Sequence, residues 1–170
     1  MALPKISVPK YKLKLPSDGR TVSFRPFLVK EEKVLLLATE SGEQTTIVDA
    51  IKSIIKDCTD ITEVEKLATF DIEFVFLQIR TKSVGESVDV NIVCPDDNET
   101  SVSVSIPLDE IKVKKTRGHK KDLKISEEVA ITMGYPSLET FVAMNFGEGA
   151  EVDQVFDMAA SCVESISDAN

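Results

Sequence analysis

The sequence predicts an α+β fold, two β-hairpins and a further strand packed with about five helices around a central apolar helix. Three observations predict it. Thr69 to Lys82, TFDIEFVFLQIRTK, puts seven large apolar side chains into ten positions, Phe70, Ile72, Phe74, Val75, Phe76, Leu77 and Ile79, a density that belongs in a core. Two other stretches alternate apolar and polar residues around turn chemistry, the mark of hairpins. A fourth stretch, Glu43 to Cys58, repeats its apolar residues at helical spacing.

The first ten residues, with Pro4, Pro9, Lys5 and Lys10 and little apolar content, read as an extended arm, and residues 11–170 as a single domain ending in an acidic helix. Tyr11, Leu13 and Leu15 alternate with Lys12 and Lys14. Pro16-Ser17-Asp18-Gly19 turns the chain, and Val22 and Phe24 return it to Pro26. Proline cannot donate to a ladder, so this second strand lies at an edge or ends at Pro26. Val29 to Glu40, polar at its start and apolar from Val34 to Ala38, reads as a helix closed by Ser41-Gly42 and packed on the central one.

In the next helix Ile47, Ile51, Ile54, Ile55 and Cys58 form one apolar face. Thr62-Glu63-Val64-Glu65 matches a capping box and leads by a brief turn into the central helix. There Thr69 suits the N-cap, Asp71 and Glu73 the first turn, Arg80 and Lys82 the end, and Gly85 the stop. Strand alternation fails at Val75 and Leu77, which favours the helix. Such a helix, apolar over most of its circumference, needs cover on several sides.

From Glu86 the period becomes two. Val88, Val90, Ile92 and Cys94 run out, Pro95 to Glu99 turn, and Val102, Val104 and Ile106 run back. Val129, Ile131 and Met133 alternate as a last strand, and Ser137 to Met144 reads as a short helix. After the loop Asn145 to Gly149, a final helix places Val152, Val155, Phe156, Ala159, Cys162, Val163 and Ile166 on one face and acidic residues on the other. No internal repeat is present.

Charge is unevenly distributed. Residues 1–124 hold all 20 Lys and Arg against 20 Asp and Glu, whereas residues 125–170 hold 9 acids and no base. Between them KVKKTRGHKKDLK, residues 112–124, carries seven bases against Asp122. Its side chains Lys112, Lys114, Lys115, Arg117, His119, Lys120 and Lys121 are candidates for partner contact, as are Val152, Val155 and Phe156 of the last helix. The ordinary reading of a charge run is a solvated loop, and of an apolar stripe, core. Contact with an acidic protein surface comes next for the run, and nucleic acid last, since the stretch has no aromatic to stack a base.

Chemistry finds little support. His119 is the only histidine and is remote in sequence from Cys58, Cys94 and Cys162, and phosphate-loop, dinucleotide, zinc-protease and EF-hand motifs are missing. Cys94-Pro95 stands where a zinc knuckle would start but has no partner pair. The reading is therefore no enzyme, no metal, no cofactor and no small-molecule site, with carboxylates brought together by the fold left open. Three scattered cysteines fit reduced thiols. No run is long enough to span a bilayer and the start lacks a signal-like apolar core, so the expectation is a cytoplasmic protein without a membrane partner.

Particular residues carry a resemblance. Lys14 to Gly19 with the run Phe24-Arg25-Pro26-Phe27-Leu28-Val29-Lys30-Glu31-Glu32, then Phe70-Asp71-Ile72-Glu73 to Arg80, Lys82-Ser83-Val84-Gly85-Glu86 and Tyr135-Pro136-Ser137-Leu138, resemble baseplate hub proteins of T-even-type contractile-tailed phages. The likeness spans about residues 11–144 and is weaker beyond. It implies a non-enzymatic morphogenesis protein made in the cytoplasm of the infected bacterium, with other hub or tail proteins as partners. Such a protein either stays in the virion or leaves after assembly. The alternative is a nucleic-acid-binding protein using the stretch 112–124.

Overall fold

The computed structural model describes residues 7–114, 116–138, 140–142 and 151–168, and the architecture is α+β as predicted. The chain divides into two units. The first runs to Thr62 and resumes from Glu73 to Val113; the second holds Glu63–Ile72 and begins again at Lys114. The expected arm lies largely outside the described residues, as does the expected loop Asn145 to Gly149.

In the first unit β1 (Tyr11–Lys14) and β2 (Thr21–Phe24) pair antiparallel with Leu13 opposite Val22. Gly19 makes the turn at φ 76°, where a Cβ would be strained, and Asp18 accepts the Arg20 N–H. β2 ends before Pro26, as proline requires. Leu13, Leu15, Val22 and Phe24 are buried. Helix α2 (Gln44–Cys58) buries Ile54, Ile55 and Cys58 of the predicted face together with Ala50, leaves Ile47 and Ile51 half-buried, and the chain leaving it bridges to β2 at Thr59.

Helix α1 (Val29–Ser41) closes at Gly42, φ 70°, and packs on α2 more than on the central helix, where it was expected. Its start is tied to the central helix by the chain before it, since Phe27 N–H donates to Ser83 Oγ at 2.9 Å. Glu31, only 3% exposed, lies among donors: Arg25 at 2.8 Å, Lys30 at 3.1 Å and the Leu28 N–H at 2.8 Å. Burial opposes its charge, but those three donors outweigh burial and hold the carboxyl at about 2.

Helix α3 (Thr69–Val84) is the predicted central helix and contributes to both units. The seven large apolar side chains from Phe70 to Ile79 are buried or half-buried, with Ile72, Val75 and Ile79 innermost, and Val84 at the helix end is exposed. Gly85, φ 146°, turns the chain into the second hairpin, β3 (Ser87–Val93) with β4 (Ser101–Pro107). Asp97 closes the hairpin turn by accepting the Glu99 and Thr100 N–H groups and the Thr100 hydroxyl.

The second unit departs from expectation at three places. Val64–Lys66 makes the brief turn, but no side chain caps it, so the Thr62 capping box does not form. Val129 to Met133 is a strand, β6, but it is the middle of a three-stranded antiparallel sheet. One neighbour, β5 (Asp122–Lys124), comes from the end of the basic stretch. The other, β7 (Val163–Asp168), comes from residues expected to continue the last helix. That helix, α4 (Glu151–Ser161), stops short, and Val163 and Ile166 pair with Met133 and Ile131 instead of extending its stripe. Ladder bonds to β6 outweigh a helical period in a segment containing Ser161, Ser165 and Ser167, weak helix formers. The expected helix at 137–144 is helical at residue 138 and at 140–142, and its end lies outside the described residues.

Candidate functional site

The basic stretch leaves the fold as an exposed segment and re-enters it as a strand. Lys112 is the last base of the first unit; Lys114, Arg117, Lys120 and Lys121 belong to the second, and all are exposed, while Lys115 lies outside the described residues. Arg117 and Gly118 form a turn with Gly118 at φ 84°. His119 stacks on Tyr135 with ring centroids 5.8 Å apart, and Tyr135 meets the face or edge of Phe70 at a right angle, 4.8 Å between centroids. The only histidine is thus set against an aromatic pair.

The sheet then joins the two charge blocks. β6 lies between β5 and β7, so the end of the basic stretch and the acidic tail flank one strand. Register slips at Thr132/Met133, and Glu164 of the irregular stretch reaches Lys121 at 2.7 Å. The Glu164 carboxylate raises the Lys121 ammonium above its ordinary value. Gly134 makes room for this pair: a Cβ there would fall 2.5 Å from Glu164 Oε1 and 3.0 Å from its Cγ. The tail folding back on the basic stretch therefore consumes one of the candidate cations and leaves Lys120 and Arg117 outward.

On α4, Val152, Val155 and Phe156 sit at i, i+3 and i+4 and so share a face, and they are 65%, 66% and 70% exposed. Ile166 on β7 is exposed as well. Of the stripe read as core, these four are exposed, while Cys162 and Val163 are half-buried. Chemically, these surfaces offer an apolar helix face among acids and a cationic loop.

Two further uncovered surfaces escaped sequence reasoning. Val29, Val34, Leu36 and Leu37 of α1 are exposed, and so are Ile92, Val102 and Val104 of the second hairpin. The first had a signal: Val34 to Leu37 are four consecutive apolar residues, and one helix face cannot hold all four. Elsewhere, a cavity of about 170 Å³ is lined by Lys10, Arg25, Asp57 and Cys58 among others. Burial pushes the Cys58 thiol up to about 11, which makes it a poor nucleophile. Among the described residues no group of three or more His, Cys, Asp or Glu is placed to hold a metal, and no helix is long and apolar enough to cross a membrane.

Residues 8–170 match the model of a family described as T4 bacteriophage base plate protein. No curated protein and no solved structure matches the chain. The family match runs through α4 and β7, beyond residue 144, where the resemblance read from motifs fades.

Proposed function

The chain belongs to the T4 bacteriophage base plate protein family, and from that premise we propose that it serves the central hub of the tail baseplate, as a subunit or an assembly factor. It acts by protein–protein contact and carries no catalytic activity. The observation that supports this reading is the exposed face of Val152, Val155 and Phe156: three large apolar side chains on an acidic helix are costly in water and are buried by a partner. The exposed cations Arg117 and Lys120 add an electrostatic contact to the same unit.

Mass spectrometry of mature virions and of tail intermediates from one infection tests it. Presence in both makes the chain a resident hub component, and presence in intermediates alone makes it an assembly factor. Absence from both would remove the hub reading. A second reading, nucleic-acid binding, draws support from Tyr135, which stacks on His119 of the basic stretch beside Lys120 and brings a phenol ring to it from elsewhere in the chain. It requires DNA or RNA retardation at low salt that falls steeply as salt rises.

A further inference from the structure

The second hairpin holds six β-branched side chains on one face. Val88 stands opposite Ile106, Val90 opposite Val104 and Ile92 opposite Val102, so alternation places all six on the same side of the ladder. The other side carries Asp89, Asn91, Ser101, Ser103 and Ser105 with Val93. Near the foot, Val88, Val90 and Ile106 are half-buried, and Leu108, buried, fixes the base through its N–H to the Glu86 carbonyl. Further out, Ile92, Val102 and Val104 are 53%, 58% and 37% exposed. β3 and β4 form a two-stranded sheet, and among the described residues no further strand pairs with either edge. Such a hairpin is marginal in water unless its apolar face is covered.

Charge says what covers it. From Glu86 to Glu110 the sequence holds Glu86, Asp89, Asp96, Asp97, Glu99, Asp109 and Glu110 and no base. Glu86 is met by Lys82 at the foot. Asp96, Asp97 and Glu99 rim the far end of the ladder, and Asp109 and Glu110 follow its near end. A two-fold contact between copies through this face would bring acid to acid in either orientation, because both ends are acidic. A phosphate backbone is repelled for the same reason.

We infer that the β3–β4 hairpin is a docking arm whose occupant is another protein, apolar at the centre of its contact surface and rimmed by lysine or arginine. This rests on the reading of the chain as a tail protein that works by contact. The contact is separate from the α4 face and is made by a different unit of the chain.

The test places the photo-crosslinker p-benzoylphenylalanine at position 102 of the full chain, and in a parallel sample at position 156, during infection. Tail intermediates are irradiated, and crosslinked peptides are identified by mass spectrometry. The expected result is a crosslink from position 102 to one tail protein, in a segment with apolar residues flanked by Lys or Arg. In a D96K/E99K background that yield falls by about tenfold while the yield from position 156 holds. Crosslinks from position 102 to a second copy of the chain, to nucleic acid or to a segment without bases overturn the inference. So does silence at position 102 while position 156 reacts, an outcome that leaves the baseplate reading standing. Absence of the chain from the intermediates ends both. Circular dichroism and gel filtration of the D96K/E99K chain, expected unchanged, show that a lost crosslink is not a lost fold.

Discussion

The two hairpins of the first unit are written in the same code and meet opposite fates. β1–β2 and β3–β4 both alternate apolar and polar residues around a turn rich in Pro and Asp. In the first, Val22 and Phe24 are 2% and 4% exposed, and the chain leaving α2 bridges to β2 at Thr59. In the second, the equivalent ladder stands open to solvent. Alternation therefore specifies the strand and its two faces, whereas burial depends on what else in the chain reaches that face. A face left exposed among the described residues is free to do something other than hold the fold together.

Mutations separate these fates, and the largest effect belongs to the closed hairpin. Phe24→Ala removes a ring packed at 5.5 Å from Tyr11 and should lower unfolding stability by about 3–5 kcal/mol in urea titrations. A loss under about 1 kcal/mol would mean that the first hairpin is no better packed than the second. Next comes the ion pair after β2. The Glu31 carboxyl, ordinarily near 4.5, sits at about 2 in the fold, so the folded state favours its charged form. Its contribution, about 3 kcal/mol, is whole above about pH 5 and is lost as pH falls toward about 2. The difference in urea midpoint between the native chain and Glu31→Gln should accordingly be large at neutral pH and shrink on acidification. A difference that stays constant across that window would contradict the assignment.

What could be read in advance follows the same division. Local signals were sufficient where one element decides its own state. The apolar density of Thr69 to Lys82 gave α3, Gly42 and Gly85 gave ends, and Ile54, Ile55 and Cys58 gave the buried face of α2. They were insufficient where a distant strand decides. Val163 and Ile166 continue a helical period in the sequence, yet β6 captures them, and Asp122 to Lys124 shows no alternation long enough to mark a strand at all. The candidate surface shows the same limit. Segregated charge was legible, but the meeting of Lys121 with Glu164 follows from a register slip that no local pattern announces.

A smaller effect sharpens where the open hairpin is vulnerable. Gly85 enters β3 at φ 146°, a conformation that side chains resist, although a Cβ there would meet nothing within 4 Å. Gly85→Ala should cost about 1–2 kcal/mol through backbone strain alone. Thermal melts of this variant beside Val104→Ala would locate the hairpin's stability at its foot if only the former shifts. Equal shifts would mean that the open ladder is itself part of the folding core.

The smallest effect, at position 102, is the most telling, because it is set against the same substitution at a matched position. Val22 and Val102 are both β-branched residues on the apolar side of a two-stranded ladder, opposite Leu13 and Ile92. Threonine keeps the shape of each and adds a hydroxyl. At position 22, where the valine is 2% exposed, burying that hydroxyl in an apolar core costs about 1–3 kcal/mol. At position 102, where the valine is already 58% exposed, the hydroxyl is hydrated and threonine suits a strand, so the change should stay within about 0.5 kcal/mol. Paired urea titrations of Val22→Thr and Val102→Thr read the difference directly. If position 102 costs as much as position 22, something in the chain covers the second hairpin in solution, and its face is not available to a partner. If it costs nothing in stability yet weakens incorporation into tail intermediates, the open ladder is conserving its apolar surface for contact and not for the fold.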